Sequence, residues 1–375
     1  IKFFGQAQDV PKVQELWRHM CAQHVKLTSV TLGCMVEALV SNNYVPEAWK
    51  IVNEVWHKAE QRDLVNTVVY STIVKGFTMT RQHDQVIAIF KEMKERSIPC
   101  NTVTYNTMLN GLARCGMMHE VPELLKGMRD SNPPVQPDII TYSTIVKGYC
   151  IAGDLDRAFG LLEDMKTLGH VKPDEVLYNS LLDGCAKQSR VEEALKLLEE
   201  MKEAGVVPSN YTLSILCKLL GRARRLDRAF EIVKTFTQHY GFKANIQVYT
   251  CLMQACIHNR QCQRALTLHD QVVKDGVCSP DAKTYTVLLR GCLQAGLVEK
   301  ALAVARCAYH LPGHDLRETQ GWYHGVETNC LDDLLASLNS EQRQALVEDL
   351  QNIGVSCLPV QDKAPRRRHM PPRGR

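Results

Sequence analysis

The chain has 375 residues, 45% of them hydrophobic and 23% charged, and its formal net charge is only +4. No run of about 18 apolar residues occurs, which argues against a membrane-spanning helix. The 15 cysteines are an odd set without framework spacing, so we expect free thiols and a reducing compartment. The mild charge argues against phosphate binding over the whole surface, but it permits a locally basic groove.

One seven-residue segment occurs twice, as YSTIVKG at residues 70–76 and again at 142–148. Its tyrosine belongs to a column of tyrosine or leucine with gaps of 35 to 38 residues, at Leu32, Tyr70, Tyr105, Tyr142, Tyr178, Leu213, Tyr249 and Tyr285. Small residues recur six positions after this column, and alanine or valine recurs sixteen positions after it. Several columns in phase predict a tandem array of one structural unit.

Each unit has the pattern of a helical hairpin. In the unit that follows Pro137, apolar residues between 142 and 149 recur at i, i+3, i+4 and i+7, which predicts a helix. Gly153-Asp154 interrupts it, with Asp154 as the expected N-cap of a second helix from about Leu155. We expect Gly148 and Ala158 to allow these two helices to approach closely, and the tyrosine and methionine columns to form the core. Stacked hairpins predict an all-α fold, an α-solenoid superhelix with a long inner groove.

The columns divide the chain in order. Residues 1–28 form a partial repeat that aligns with the second helix of a unit, so we expect any targeting segment to lie upstream. Two helices within 312–358 are expected to cap the array, the second one with Ser340 as its N-cap, and the proline- and arginine-rich segment 359–375 is expected to be a disordered basic tail. Between them lie eight predicted repeats, at 29–66, 67–101, 102–138, 139–174, 175–209, 210–245, 246–281 and 282–311.

Two segments carry a resemblance to a known family. VTYNTMLNGLARCG at 103–116 and PDEVLYNSLLDGCAKQSRVEEALKLLEEMKEAGVVPS at 173–209 resemble the pentatricopeptide repeat, and the resemblance extends over residues 1–311. Members of this family bind single-stranded RNA, mostly in mitochondria and chloroplasts, where they help to stabilise, process, edit or translate transcripts. The resemblance implies that each repeat reads one base with two or three side chains.

The resemblance also implies which positions read the bases: the fifth and the last residue of each repeat, with an apolar second residue that wedges between bases. The pairs of fifth and last residues are Gly33 with Asn66, Ser71 with Asn101, Asn106 with Asp138, Ser143 with Asp174, Asn179 with Ser209, Ser214 with Asn245, and Thr250 with Asp281. The wedge position holds Val30, Val68, Val103, Ile140, Val176 and Tyr211, and then Gln247 and Lys283, which depart from the apolar type. In the last repeat Thr286 lacks a recognisable partner.

With RNA running 5′ to 3′ along the chain, the family's pairings imply the core A-U-G-(C/U)-A-G, preceded by one base that Gly33 has no side chain to read. The alternative for any one pair is purely structural, because Asn, Asp and Ser at a helix start also serve as N-caps. Phosphate contacts are expected from exposed cations of the repeats, for which simple solvation is the alternative: Lys75, Lys147, Lys187, Lys218, Arg114, Arg222 and Arg290.

No nucleophile, phosphate loop or metal-ligand motif stands out, so we expect a non-enzymatic protein without cofactors. Cys251, Cys256, His258 and Cys262 lack the spacing of a zinc knuckle. The predicted function is sequence-selective binding of single-stranded RNA in a chloroplast or mitochondrion. The alternative is an architectural solenoid subunit of a large organellar complex, such as a ribosome or a membrane assembly, that holds protein or structural RNA. Neither hypothesis includes a small-molecule substrate or insertion into a membrane.

Overall fold

A computed structural model describes residues 1–23, 25–319 and 323–355. The chain divides into two compact units, residues 1–188 and residues 189–375. All the regular elements of the described residues are helices, which confirms the predicted all-α class. None of these helices has both the length and the apolar character needed to cross a bilayer.

In its described residues, the first unit contains eleven α-helices and two short 3-10 helices, at Ala59–Leu64 and Met118–Glu120. Its α-helices are α1 (Lys2–Gln6), α2 (Val10–Ala22), α3 (Ser29–Ser41), α4 (Val45–His57), α5 (Thr67–Met79), α6 (His83–Glu95), α7 (Thr102–Cys115), α8 (Val121–Arg129), α9 (Ile139–Ala152), α10 (Leu155–Leu168) and α11 (Glu175–Gln188). The odd-numbered helices from α1 to α11 pack side by side, and each even-numbered helix up to α10 packs on the odd-numbered helix before it. This unit is therefore a stack of helical hairpins.

The second unit continues the alternation within its described residues. Its helices are α12 (Val191–Glu203), α13 (Asn210–Arg222), α14 (Leu226–Tyr240), α15 (Ile246–His258), α16 (Cys262–Lys274), α17 (Ala282–Gln294), α18 (Val298–Ala308), α19 (Thr328–Ser337) and α20 (Ser340–Asn352). Helices α13, α15, α17 and α19 pack in succession. The eight helices that begin at residues 29, 67, 102, 139, 175, 210, 246 and 282 start at the same place in the sequence repeat, and we call them the first helices.

The turn between α9 and α10 follows from its sequence. Gly153 ends α9 with a φ of +82°, a left-handed conformation that costs glycine little because it has no Cβ. The Asp154 side chain then accepts a hydrogen bond from the amide of Arg157, at 3.3 Å, and α10 begins at Leu155. The predicted break and N-cap are thus confirmed.

The repeated apolar columns form the core. Seven residues of the tyrosine-or-leucine column are buried, while Tyr249 is half-buried. The methionines at 93, 128, 165 and 201 are also buried. The interpretation of both columns as core, and not as a cofactor site, is therefore confirmed for all of these residues except Tyr249.

The partner of the small-residue column differs from the prediction. A Cβ added to Gly148 would lie 2.6 Å from Met118 Sδ and 2.8 Å from Ala113 Cβ, both in the preceding repeat. The expectation that Gly148 and Ala158 make room for each other was wrong, because the close approach is between hairpins and not within one. Gly221 follows the same rule, since its Cβ would lie 2.5 Å from Ala255 Cβ in the next repeat.

The C-terminal helices end the second unit. Helix α19 packs on α17 and α18 and buries Leu331, Leu334 and Leu335, as expected for a capping helix. The N-cap of α20 is Asn339, which accepts from the amide of Gln342 at 2.8 Å, so the prediction of Ser340 as the cap was wrong by one residue. The predicted basic tail, residues 359–375, lies outside the described residues.

Candidate nucleic-acid interface

The second residues of the repeats form an exposed apolar row. Val30, Val68, Val103, Ile140 and Val176 in the first unit, and Tyr211 in the second, expose 57% to 72% of their surface. They lie on the first turn of their helices, whose other apolar residues are largely buried. One exposed apolar residue needs no explanation, but exposed apolar residues at the same position of six repeats are typical of a binding surface. The row ends at Gln247 and Lys283, which are exposed and polar.

The last residue of each of the first seven repeats is an N-cap of the first helix that follows. One side-chain oxygen accepts from backbone amides in that helix's first turn, at distances of 2.8 to 3.2 Å, in Asn66, Asn101, Asp138, Asp174, Ser209, Asn245 and Asp281. The structural interpretation of these residues is therefore correct. It does not exclude base reading, because capping uses only one of the two terminal atoms of an Asn or Asp side chain.

The second terminal atom differs between the two residue types. When Oδ1 caps the helix, asparagine keeps an NH2 group that can only donate, whereas aspartate keeps an oxygen that can only accept. In Asn101 and Asp138, this second atom has no hydrogen-bond partner within the described part of the chain. Asn101 thus presents a donor, and Asp138 presents an acceptor, at the same place in two successive repeats.

Asp138 has the most complete hydrogen-bond environment of these caps. Its Oδ1 accepts from the Thr141 amide at 2.8 Å, the Thr141 hydroxyl at 2.8 Å and Asn106 Nδ2 at 3.2 Å. Burial alone would raise the pKa of this carboxyl, but the bonds from Thr141 and Asn106 outweigh that effect and lower the pKa below its ordinary value. Asp138 is therefore a charged acceptor at neutral pH.

In three repeats of the first unit the fifth residue is half-buried, at Ser71, Asn106 and Ser143. Asn106 contacts its predicted partner Asp138 directly, through Nδ2. Ser71 is 3.2 Å from the hydroxyl of Thr104, which itself donates to Asn101, the predicted partner of Ser71. Ser143 has a buried hydroxyl that makes no hydrogen bond with any described residue.

The remaining fifth residues are buried. Asn179 is 6% exposed, and its Nδ2 donates to Glu175 at 3.1 Å. In the second unit, Ser214 donates to the Asn210 carbonyl oxygen at 2.9 Å, and the Thr250 hydroxyl lies 2.8 Å from the Ile246 carbonyl oxygen and 2.7 Å from the Thr284 hydroxyl. The hydroxyl protons of Ser214 and Thr250 are thus engaged within the chain, so an approaching ligand would meet lone pairs.

The chain itself occupies the fifth position of the last repeat. The Thr286 hydroxyl accepts from the Glu327 amide at 3.0 Å, and the Glu327 carboxylate pairs with Arg290 at 3.0 Å. Both Thr286 and the predicted phosphate contact Arg290 are thus engaged by the residue that precedes α19.

The predicted phosphate contacts fall into two groups. Lys187 pairs with Asp183 at 2.8 Å, and Arg290 pairs with Glu327, although exposed pairs of this kind are weak. The others are exposed and form no ion pair with any described residue: Lys75, Lys147, Lys218, Arg114 and Arg222. This second group supplies cations without neutralising partners on the first helices of both units.

The cysteines examined for metal binding have the environment of core residues. Cys251, Cys256 and Cys262 are buried, and burial raises the pKa of the Cys256 thiol to about 11. Within the described residues, no group of three or more potential ligands is arranged to hold a metal ion.

Sequence reasoning missed the third residue of each repeat. Threonine occupies this position at residues 31, 104, 141, 212 and 284, and in the described structure Thr104, Thr141 and Thr284 each bond to a last residue and to a fifth residue. The column is visible in the sequence. Its contacts are not, since they join residues more than 30 positions apart.

The stacked hairpins, their phased core columns and the repeated caps define a helical repeat protein of the α-solenoid class. A family model described as "PPR repeat family" matches residues 65–114, 173–222 and 244–294, and two models described as "PPR repeat" match 134–166 and 103–132. The chain belongs to the pentatricopeptide repeat family.

Curated relatives and solved structures agree with this assignment. A pentatricopeptide repeat-containing protein of Arabidopsis thaliana is 26% identical over 249 residues, which are 66% of this chain and 37% of the relative. A second Arabidopsis protein of this name, described as chloroplastic, is 25% identical over 175 residues, which are 46% of this chain and 17% of the relative. A third, described as mitochondrial, is 24% identical over 99 residues, which are 26% of this chain and 24% of the relative. The chain thus spans well under half the length of these relatives.

The crystal structure of the maize pentatricopeptide repeat protein PPR10 has a TM-score of 0.57 and 19% identity, and the match covers 95% of this chain and 53% of that one. PPR10 in complex with an 18-nucleotide psaJ RNA element gives a TM-score of 0.60 and 17% identity, over 91% of this chain and 47% of that one. At these identities the likeness establishes the fold alone.

Proposed function

We propose that this chain binds single-stranded RNA sequence-selectively, with one base for each of the first seven of the eight repeats of residues 29–311. The preferred core is A-U-G-(C/U)-A-G, read 5′ to 3′ along the chain and preceded by one base that is not selected. The RNA complex of PPR10, a protein of the same fold, supports RNA as the ligand class.

The N-cap residues at the ends of the repeats are the main support for this proposal. The Watson–Crick edges of G and U present a ring N–H donor, whereas those of A and C present a ring nitrogen acceptor. An aspartate cap, with its remaining oxygen, therefore suits G or U, and an asparagine cap, with its remaining NH2, suits A or C. Asp138 would accept from N3–H of uracil, and Asn101 would donate to N1 of adenine.

The fifth residue would add the choice of base size. Asn106 has a longer side chain than Ser71 and leaves room for a pyrimidine, whereas the short Ser71 leaves room for a purine. Together with the caps, this gives A for Ser71 with Asn101 and U for Asn106 with Asp138. The exposed apolar row would lie between successive bases, where stacking on an aromatic residue such as Tyr211 contributes about 1–3 kcal/mol.

The test is a competition titration of the purified chain. A labelled RNA that contains AUGCAG is bound, and unlabelled RNAs of equal length are added. The proposal predicts that the cognate RNA competes at least tenfold better than oligo(C), since each correct contact contributes about 1–3 kcal/mol of discrimination. Equal competition by oligo(C) would refute sequence-selective reading.

We further propose that the protein works in a chloroplast or mitochondrion, in the stabilisation, processing or translation of a transcript. Arabidopsis relatives described as chloroplastic and mitochondrial support an organelle without choosing between the two. In this proposal the chain acts by occupying its RNA and by recruiting partners, without catalysis of its own.

One observation favours a second candidate, an architectural subunit of a large organellar complex. Glu327 bonds to Thr286 and Arg290. At the last repeat, a protein segment of the chain itself therefore occupies the positions predicted to contact RNA. Such a subunit would co-purify with its complex at fixed stoichiometry and would not bind short RNAs in isolation. RNA binding by the isolated chain, with an affinity that falls as salt is added, favours the first candidate.

A further inference from the structure

Third-position threonines connect the two predicted base-reading residues within the first unit. The Thr104 hydroxyl donates to Asn101 Oδ1 at 3.0 Å and lies 3.2 Å from the hydroxyl of Ser71. Ser71 and Asn101 are the fifth and the last residue of one repeat, and Thr104 belongs to the next. A hydroxyl has one proton, so when Thr104 gives it to Asn101, Ser71 must donate to Thr104. Ser71 then presents only lone pairs to a ligand.

The next repeat has the same connection with a different fifth residue. The Thr141 hydroxyl lies 2.7 Å from Asn106 Oδ1 and 2.8 Å from Asp138 Oδ1, while Asn106 Nδ2 donates to Asp138 at 3.2 Å. The reverse orientation of the Asn106 amide would place two oxygens against each other at that distance. Thr141 has one hydroxyl proton, which Asn106 Oδ1 and Asp138 Oδ1 share in a three-centre hydrogen bond. In this arrangement the second N–H of Asn106 is left for a ligand.

The second unit repeats the arrangement. The Thr284 hydroxyl donates to Asp281 Oδ1 at 2.7 Å and lies 2.7 Å from the hydroxyl of Thr250. Thr250 and Asp281 are again the fifth and last residues of one repeat. The connection is thus independent of whether the fifth residue is Ser, Asn or Thr.

Two repeats without the threonine behave differently. Where Leu177 stands at the third position, the buried hydroxyl of Ser143 has no hydrogen-bond partner in the described structure. Where Val248 stands there, Ser214 donates to its own helix at Asn210. In neither repeat does a described hydrogen bond join the fifth residue to its cap.

Capping alone does not account for these contacts. A third-position threonine in a capping box needs to reach only the N-cap of its own helix, as Thr31 does with Thr28. Thr104, Thr141 and Thr284 also contact a side chain of the preceding repeat, 33 to 35 residues away. The second contact has no role in starting the helix.

We propose that Thr104, Thr141 and Thr284 are specificity-determining positioning residues. Each one fixes which hydrogen-bonding group the fifth residue and the cap present to one base, so that repeats with the threonine discriminate more sharply than repeats with Leu177 or Val248. This inference rests on the proposed RNA reading and deepens it, because it adds a third residue to each reading pair without touching the base.

The loss variant is Thr104→Val, which keeps the shape and removes the hydroxyl. Fluorescence anisotropy measures the dissociation constants of RNAs that have A or another base at the first position of AUGCAG. The discrimination ratio is the constant for another base divided by the constant for A. We expect this ratio to fall about tenfold, because a correctly oriented contact contributes about 1–3 kcal/mol of discrimination. Thr104→Ser keeps a hydroxyl and should retain most of the ratio.

The matched control is Thr31→Val. It removes the same hydroxyl from a threonine whose only side-chain hydrogen-bond partner among the described residues is Thr28. We expect its thermal midpoint to change about as much as that of Thr104→Val, with no change in the discrimination ratio at any base. A purely structural role for the threonines would make the two variants equivalent.

The gain variant is Val248→Thr, of nearly equal volume. It should join Ser214 to Asn245 and sharpen the preference for A at the fifth base about three- to tenfold, a range below the full contribution of a good base contact. Because a gain of selectivity requires a folded protein, this variant tests the inference even if a loss variant unfolds.

A readout without RNA separates this inference from the proposed function. The pKa of Asp138, measured by carbon NMR of its carboxyl, should rise toward its ordinary value in Thr141→Val, because one of the bonds that lower it is lost. If the pKa is unchanged, or if it rises but discrimination by all the threonine variants stays at the wild-type ratio, the positioning role is refuted and RNA reading stands. If the wild type itself does not discriminate between RNAs, both the proposed function and this inference are refuted.

Discussion

At the scale of the residue, one side chain combines two tasks that sequence patterns cannot separate. Asp138 caps α9 through Oδ1, and the same contact leaves its second oxygen available. The sequence identifies the residue, but at this position the same residue type is expected for an N-cap and for a base-reading residue. The geometry makes the two roles compatible, since capping uses only one of the two carboxylate oxygens.

Asp138 gives a prediction for pH. In Asp138→Asn the amide oxygen still caps the helix, as Asn101 does in α7, but the negative charge at the helix N-terminus is lost. We expect the wild type to be more stable at pH 7 by about 0.3–1 kcal/mol. The folded-state pKa of Asp138 is lowered, so this advantage is fully present above the unfolded-state pKa of about 3.9. It is lost as the pH falls through the lower, folded-state value.

Urea denaturation of both proteins at a series of pH values measures this difference. The control is Asp332→Asn, because the exposed Asp332 forms no hydrogen bond with other side chains in the described residues. A wild-type advantage that grows as the pH falls toward 3 would contradict the assigned direction of the pKa.

At the scale of the element, the repeat columns predict helix positions well and packing partners poorly. The break at Gly153-Asp154 and the start of α10 follow from local chemistry, which the sequence contains. The neighbour of Gly148 is set by which hairpin stacks on it, and the sequence does not contain that information. The third-position threonines were missed for the same reason, because both of their partners are visible only once the repeats are stacked.

The small-residue column leads to a prediction with an internal control. Gly221→Ala would place a Cβ 2.5 Å from Ala255 Cβ and 3.1 Å from its Cα, where neither atom can turn away, so we expect a loss of about 1–3 kcal/mol. Gly160→Ala, on the exposed side of α10 with no atom within 4 Å, should instead gain about 0.5–1 kcal/mol from helix propensity. Thermal unfolding of the two variants compares them directly. Equal shifts of the thermal midpoint would show that the close approach at Gly221 does not restrict the size of the side chain there.

At the scale of the whole molecule, the proposed function depends on repetition and not on one site. The predicted base-reading pairs, the exposed apolar residues and the cations without ion pairs among the described residues recur at fixed positions of the repeats, and this recurrence was predictable from the sequence. The degree of burial of the fifth residues was not predictable from the sequence. Ser214 and Thr250 are 2% and 6% exposed, because neighbouring first helices pack over them.

The exposed cations of the first helices predict that the affinity for RNA depends on the salt concentration. Lys75 and Lys147 occupy the same place in two repeats and are exposed without an ion pair among the described residues. If each contacts a phosphate, the double variant Lys75→Gln, Lys147→Gln should reduce the slope of log affinity against log salt by about 0.7 for each lysine removed. The control Lys91→Gln, on the second helix α6, should leave the slope unchanged. Equal slopes for all three proteins would assign the phosphate contacts elsewhere.

The most direct test of the account is a single-base scan of AUGCAG against the wild type, Asp138→Asn and Asp174→Asn. Each substitution replaces an acceptor with a donor in one of two adjacent repeats. We predict that Asp138→Asn shifts the preference from U to C at the second base only, and that Asp174→Asn shifts it from G to A at the third base only. Variants that weaken every RNA alike, or shifts at bases that are not neighbours, would contradict the reading of successive bases by successive repeats.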